Sequence, residues 1–197
     1  MIKRVVKGFI RIFFCKVFYH VKYINKENLD KYSKCLICPN HSNTLEPTWI
    51  YAISKNIAIM AKAELFENKF LAKCYKYFNV FPIRRGEHDV RSLMHAINLF
   101  KGNDNIKLLV FPEGERLKKD IDRIPAKVGP AYIAQKVDIP MVPVYITKNA
   151  KLFSNVEIIF GEPIFPPKER SKLQEFSDKF MDEVYNLPNT IKNDNPS

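Results

Sequence analysis

The stretch CLICPNHSNTLEP, residues 35–47, joins an apolar run to a polar turn and then to a proline. Residues 35–38 are apolar and stop at Pro39, which predicts a short buried strand. Pro47 predicts a helix start, because proline suits the first helical position and biases the preceding Glu46 away from helix. The stretch therefore predicts a strand, a polar turn and a helix in succession.

The polar turn carries the most informative pair of side chains in the chain, His41 and Glu46. Residues five apart on a continuous helix point about 140° apart, so the two meet only if a turn lies between them. A histidine with a nearby carboxylate is an arrangement typical of a general base and its orienting partner. A structural hydrogen bond is the common alternative, and the pair alone leaves it open.

Two more segments have a similar composition at predicted strand ends. The segment FPIRRGEHD, residues 81–89, follows an apolar stretch, and the segment FPEGER, residues 111–116, follows the strand-like run IKLLV. In α/β proteins such loops gather at the carboxyl edge of the sheet, where ligands bind. Arginine suits phosphate and carboxylate oxygens, and glycine turns add backbone N–H groups for the same anion. The sequence therefore predicts a base and at least two phosphate-binding arginines at one edge.

The wider pattern predicts an α/β fold. Strand-like apolar runs alternate with helical patterns, which indicates a sheet with helices on its faces. The predicted strands are 35–38, 57–61, 79–83, 106–111, 141–146 and 156–160, and the predicted helices are about 47–55, 64–78, 87–101, 127–137 and 169–186. With 197 residues, 46% of them hydrophobic, the chain can bury a substantial core.

Taken together, these segments resemble the glycerolipid acyltransferase family, specifically the bacterial 1-acyl-sn-glycerol-3-phosphate acyltransferases. The resemblance covers roughly residues 1–187. It rests on four blocks in order, with a similar segment, MAKAEL, at residues 60–65. The blocks are Asn40-His41 with Glu46-Pro47, residues 81–86, residues 111–116 and Val142-Pro143-Val144. It implies a mixed, largely parallel central sheet flanked by helices, as in glycerol-3-phosphate acyltransferase.

The resemblance also implies roles for residues of the site. His41 would deprotonate the acceptor hydroxyl of a lysophospholipid, and Glu46 would fix the imidazole tautomer. The remaining roles are phosphate binding by Lys62, Arg85 and Arg116, substrate positioning by Glu113 and Gly114, and lining of the acyl side by Val142, Pro143 and Val144. Acylation of the sn-2 hydroxyl of 1-acyl-glycerol-3-phosphate would give phosphatidic acid. No metal or organic cofactor is implied, because the donor (acyl carrier protein, coenzyme A or acyl phosphate) arrives already activated.

Four positions depart from the family pattern. The family usually has aspartate where this chain has Glu46 and serine where it has Asn43, so the turn must accommodate one extra methylene. Threonine or serine is usual where Glu115 stands, and the added carboxylate lowers the local positive potential. Arg84 partly offsets that change. These departures raise the alternative of a paralogue that acylates another lysolipid.

The amino-terminal segment, residues 1–26, predicts a site of membrane attachment. It has no acidic residue, and its cations (Lys3, Arg4, Lys7, Arg11, Lys16, Lys22 and Lys26) alternate with apolar residues. No uncharged run approaches the ~20 residues that span a bilayer. The segment also lacks the small-residue cleavage site of a signal peptide. We expect an amphipathic helix lying in the plane of an anionic membrane, on its cytoplasmic face. An ordinary core-packing helix with a solvated basic face is the alternative.

Residues 27–187 are then the predicted acyltransferase domain, and residues 188–197 a polar tail predicted to be disordered. The four cysteines are interpreted as buried thiols, since Cys35 and Cys38 lack a second pair at zinc-site spacing. A net charge of +11 suits an anionic membrane, and it would also attract acidic acyl carrier protein or nucleic acid. A basic membrane- or nucleic-acid-binding protein that has lost catalysis is therefore a rival interpretation, and a hydrolase that passes the acyl group to water is another.

Overall fold

The structure is a computed structural model that describes residues 2–84, 89–117 and 123–194. Its centre is a seven-stranded sheet in the order β1-β7-β6-β2-β5-β3-β4. The strands are β1 His20–Ile24, β2 Lys34–Pro39, β3 Ile57–Lys62, β4 Val80–Ile83, β5 Ile106–Leu109, β6 Met141–Ile146 and β7 Asn155–Phe160. The helices are α1 Ile2–Phe9, α2 Glu46–Ile53, α3 Lys69–Tyr77, α4 Val90–Lys101, α5 Gly129–Val137 and α6 Leu173–Asp194. A π-helix, Ile10–Val17, continues α1.

The sheet is mixed and largely parallel, as the resemblance implied. Strand β2 pairs in parallel with β5 and β6, β3 pairs in parallel with β4 and β5, and β1 pairs in parallel with β7. Only β6 and β7, of the described pairs, run antiparallel. Because β2 to β6 are mutually parallel, their carboxyl ends meet at one edge of the sheet, where the segments with His41 and Arg116 begin.

Hydrophobic cores cover both faces of the sheet. Along β2 the side chains alternate, so that Leu36 and Cys38 face one core while Cys35 and Ile37 face the other. Helices α4, α5 and α6 supply the first core, and α2 with the amino-terminal helices supplies the second. Burial on both sides explains why the central strands are continuous apolar runs. The same burial raises the pKa of Cys35 to about 12, so its thiol stays protonated.

Two predictions at the chain ends were wrong. Residues 20–24, assigned to the amphipathic helix, form strand β1, which pairs with β7. The tail predicted to be disordered from residue 188 instead continues α6 to Asp194, with Pro188 inside the helix. Leu187 is 4% exposed, so this end of α6 is anchored by burial against the sheet.

Candidate active site

Three of the predicted site residues lie at the carboxyl edge of the sheet. His41 follows β2, Lys62 ends β3, and Arg116 follows β5. All three line one cavity of about 440 Å³. The structure therefore brings the histidine, one of the predicted arginines and Lys62 to one edge, while their roles as base and phosphate ligands stay predictions.

His41 and Glu46 are in direct contact. The distance between His41 Nδ1 and Glu46 Oε2 is 2.6 Å. Glu46 is fully buried and His41 is 6% exposed. A carboxylate at Nδ1 accepts a hydrogen bond there, so the proton belongs on Nδ1, and Nε2 is left as the acceptor for a substrate proton.

The turn between the two residues is built around the Glu46 carboxylate. The Ser42 N–H donates to Oε1 at 2.9 Å, the Asn43 N–H donates to Oε1 at 2.8 Å, and the Ser42 hydroxyl donates to Oε1 at 2.9 Å. Glu46 also begins α2, where the helix dipole favours a negative charge. The extra methylene of glutamate is thus accommodated with the contact to His41 intact.

Neighbouring groups fix the position of His41. The Asn40 side chain exchanges two hydrogen bonds with the backbone of Ile146 on β6. The Phe111 ring stacks on the imidazole with 3.9 Å between ring centroids. The His41 C=O accepts a hydrogen bond from the Leu117 N–H at 2.7 Å. Strands β5 and β6 therefore hold the histidine that β2 presents.

Glu113 has a different place from the one expected. Its carboxylate is fully buried and does not line the cavity; it accepts hydrogen bonds from the His41 N–H, at 2.8 Å, and from the Tyr185 hydroxyl. Burial raises the pKa of Glu113, and these two hydrogen bonds oppose that rise. Glu113 therefore ties the His41 backbone to α6, and its role in substrate positioning stays a prediction.

The cavity beside His41 has a polar end and an apolar wall. The Arg116 guanidinium donates to the Thr44 hydroxyl, and Lys62 pairs with Glu64 at 2.7 Å. The wall is formed by residues of α1, the π-helix, α2, β3, α3, β4 and their connections: Val6, Ile10, Tyr51, Ile59, Met60, Leu65, Tyr75, Phe78 and Val80. The arrangement suits a ligand with an anionic head and a hydrocarbon chain.

Other predicted site residues lie elsewhere. Arg85 falls outside the described residues. Gly114 has a φ of +74°, which glycine adopts without strain, and makes a turn in which its N–H donates to the Phe111 C=O. The residues 142–144 lie within β6, and their side chains do not line the cavity. Val142 and Val144 are fully buried in the core on the α2 side of the sheet, so nothing in their position supports the acyl-lining role, which stays a prediction.

Sequence reasoning missed one residue of the site's framework, Tyr185. Its hydroxyl donates to Glu113, and burial raises its pKa above the ordinary value. Tyr185 lies 72 residues further along the chain in α6, inside an ordinary helical pattern. No local signal distinguishes it from a packing residue.

Comparisons with known proteins bear on this arrangement. The family model described as Acyltransferase matches residues 20–147. A 1-acyl-sn-glycerol-3-phosphate acyltransferase of Bacillus subtilis is 32% identical over 76% of this chain and 80% of its own length. One of Streptococcus pneumoniae is 28% identical over 77% of this chain and 56% of its own length.

A solved structure shares the fold. The 1-acyl-sn-glycerophosphate acyltransferase PlsC of Thermotoga maritima superposes with a TM-score of 0.74 at 23% identity. The match covers 95% of this chain and 80% of the other. Since the family model spans more than half of the sequence, and its segment includes His41, Glu46 and Arg116, the chain belongs to the Acyltransferase family.

Proposed function

We propose that the chain transfers a fatty acyl group from an activated donor to the sn-2 hydroxyl of 1-acyl-sn-glycerol-3-phosphate, giving phosphatidic acid for phospholipid biosynthesis. The main support for this proposal is the buried contact between His41 and Glu46, which lies beside a cavity that has cations at one end and an apolar wall. The names of the Bacillus subtilis and Streptococcus pneumoniae relatives support the same acceptor.

The chemistry begins with proton transfer from the acceptor hydroxyl to His41 Nε2. Glu46 stabilises the imidazolium that forms, as the carboxylate does in other triads. The acceptor oxygen attacks the donor's carbonyl carbon, and the tetrahedral intermediate collapses to the new ester. The bond to the leaving thiolate or phosphate breaks, and that leaving group takes the proton from the imidazolium, which restores neutral His41. Such base catalysis is worth roughly 10²–10⁴ in rate.

Substrate binding follows from the two ends of the cavity. Arg116 and Lys62 would neutralise the acceptor phosphate, because both are exposed cations beside the catalytic histidine. Arg85 remains a proposed third cation. The acyl chain would lie against residues such as Met60 and Phe78, where it is removed from contact with water. An acyl carrier protein, coenzyme A or acyl phosphate would each supply the same electrophilic carbon.

A second candidate is a lysolipid whose phosphate is a diester. Lys62 is already paired with Glu64, and the exposed Glu115 adjoins Arg116, so the positive charge at the polar end is partly offset. A diester carries one negative charge and needs less compensation than a monoester. This candidate predicts faster acylation of lysophosphatidylglycerol than of 1-acyl-glycerol-3-phosphate.

The decisive experiment follows labelled palmitate from each activated donor to each acceptor in mixed micelles. We expect His41→Ala to lower kcat by roughly 10²–10⁴ and Arg116→Ala to act chiefly on the acceptor KM. Lys168→Ala is the control, because Lys168 is an exposed cation outside the cavity. Acylation with His41→Ala at the wild-type rate would refute the assigned base, and transfer to water alone would identify a hydrolase.

Membrane attachment is the remaining part of the proposal. The chain would lie on the cytoplasmic face of the cell membrane, held by α1 and the π-helix. The exposed apolar side chains Ile2, Val5, Phe9, Ile12 and Phe13 support it. Searched over its described residues, the chain contains no helix with the length and hydropathy to cross a bilayer.

A further inference from the structure

A second pocket lies at the opposite edge of the sheet from His41. It measures about 610 Å³ and opens among α1, the carboxyl end of α2 and the residues that precede β3 and β4. Asn56 and Asn79 mark those strand starts. Tyr51 and Phe78 line both this amino-edge pocket and the catalytic cavity, and their rings meet edge to face, with 5.9 Å between centroids. The two pockets therefore share a wall but open at different edges.

The amino-edge pocket is strongly cationic. Lys3, Arg4, Lys7, Arg11 and Lys55 line it, and none of the described lining residues is acidic. Burial, and then the charge of Lys3, hold the pKa of Lys7 below its ordinary value. Cations concentrated in one pocket repel each other, so a bound anion would relieve a cost that the protein otherwise bears.

A structural explanation accounts for part of this cluster. Lys7 donates to the Ser54 C=O at the end of α2 and lies over the Tyr51 ring, while Lys3 lies over the Tyr77 ring. In the described part of the chain, Arg4, Arg11 and Lys55 form no hydrogen bond or ion pair. Arg11 and Lys55 act electrostatically on Tyr23 and Asp30, but no hydrogen bond or ion pair among the described residues holds the three cations in place.

Ser54 provides an independent observation. Its side chain is 4% exposed, and its hydroxyl has no hydrogen-bond partner among the described residues. An unsatisfied buried hydroxyl costs free energy, and such groups are uncommon in native structures. Ser54 lines the same pocket, and its hydroxyl would turn toward the pocket to bond to a ligand oxygen.

We propose that the amino-edge pocket binds a phosphate group, held by Arg4, Arg11 and Lys55 and hydrogen-bonded by the Ser54 hydroxyl. A guanidinium group donates two parallel hydrogen bonds to two phosphate oxygens, and a serine hydroxyl can donate to the same phosphate. This pocket is distinct from the acceptor phosphate site proposed at Arg116, and phosphate binding there does not depend on the proposed function.

The geometry of α1 favours a soluble phosphate compound over a lipid headgroup. At 100° per residue, Lys3, Arg4 and Lys7 lie on the side of α1 opposite the exposed Ile2, Val5 and Phe9. A bilayer that covers the apolar side would therefore leave the cationic side facing water. A phosphomonoester or pyrophosphate in solution would reach the pocket from that side.

Calorimetric titration of the full chain with inorganic pyrophosphate tests the proposal. The pocket variant is Arg4→Gln with Arg11→Gln, and the matched control is Lys101→Gln with Lys168→Gln, which removes the same charge from exposed positions outside both pockets. We expect saturable binding by the wild type, weakened about tenfold or more in the pocket variant and less than about twofold in the control. Ser54→Ala should also weaken binding while leaving the fold intact.

Two further arms separate the possible origins of the signal. Arg116→Ala should remove any pyrophosphate held at the acceptor site and keep the binding that the pocket variant loses, because the two sites are separate. Binding to vesicles of phosphatidylcholine with or without phosphatidylglycerol tests whether the pocket binds a lipid headgroup. In that case the pocket variant should bind more weakly than the control only to the vesicles that contain phosphatidylglycerol. The proposal is overturned by absence of binding in both arms, by equal weakening of the pocket and control variants, or by loss in Arg116→Ala of the same binding that the pocket variant loses.

Discussion

The Glu46 carboxylate serves the turn as well as the histidine. It accepts from two backbone N–H groups and a hydroxyl in addition to the contact with His41 Nδ1. Its position is therefore determined by the same atoms that shape the loop. Any change in side-chain length must displace either the histidine contact or the loop contacts.

Shortening this side chain should therefore reduce catalysis. Glu46→Asp withdraws the carboxylate by one methylene, and a misplacement near 1 Å costs roughly 10²-fold in rate. We expect kcat to fall by about that factor with little change in acceptor KM, measured by steady-state acyl transfer. Glu162→Asp, at an exposed ion pair with Lys31, serves as control. An unchanged kcat would mean that the orientation of His41 does not depend on Glu46.

Glu113 provides a test in which stability, rather than activity, is measured. Burial raises its pKa above the ordinary 4.5. Between 4.5 and the raised value, the folded state binds more protons than the unfolded state, so stability falls as pH rises. Glu113→Gln removes this titration because the amide does not ionise. The amide keeps an oxygen that accepts from the His41 N–H, and its nitrogen can donate to the Tyr185 hydroxyl.

We therefore expect the free energy of unfolding of the wild type to decrease relative to Glu113→Gln as pH rises from 4.5. Urea denaturation of both proteins at closely spaced pH values measures the difference. A constant difference across that window would contradict the raised pKa. A difference that changes in the opposite direction would indicate that the hydrogen bonds to Glu113 outweigh its burial.

The contact between β7 and α6 depends on the absence of one side chain. A Cβ on Gly161 would lie 2.8 Å from Pro143 Cγ and 2.9 Å from Leu187 Cδ2. The proline ring cannot rotate away, so Gly161→Ala should destabilise the protein by about 1–3 kcal/mol. The urea midpoint measures the change.

Gly8→Ala is the matched control for this substitution. Nothing lies within 4 Å of the added Cβ, and Gly8 is inside α1. Alanine there should stabilise the helix by about 0.5–1 kcal/mol. If the two substitutions shifted the midpoint equally, the close approach of β7 to α6 would not explain the effect.

Six of the seven strands could be predicted from local sequence because each is rich in apolar residues. Strand β1 could not, since its residues alternate in polarity and its partner β7 lies more than a hundred residues away. Its cations resembled a continuation of the basic helix. Likewise, the end of α6 is stabilised by the burial of Leu187, which its polar local composition does not indicate.

The same distinction applies to the site. The turn that joins His41 to Glu46 could be predicted because both residues and the helix-starting proline lie within one short segment. The position of Glu113 could not, because it depends on Tyr185 in α6. The segment 142–144 matched a family block, but the two-sided burial of β6 places its side chains in the core.

At the scale of the whole molecule, the amino-terminal helices lie between the cavity beside His41 and the exterior. Val6 and Ile10 line the cavity, whereas Phe9 and Phe13 are 52% and 44% exposed and stack on each other. One helical segment thus has an inward apolar side and an outward one. A soluble helix would not be expected to expose several large apolar side chains in one row.

This outward row should insert into lipid. We expect Phe9→Ser with Phe13→Ser to reduce binding to phosphatidylglycerol-containing vesicles by at least about tenfold in a sedimentation assay. The reason is that two aromatic rings that would enter the lipid are lost. Acyl transfer to a short-chain acceptor dissolved in water should persist, since neither residue lines the cavity. Phe165→Ser, an exposed ring that packs on Tyr32 instead, is the control. Vesicle binding that fell equally in both variants, or in neither, would assign membrane attachment to some other surface.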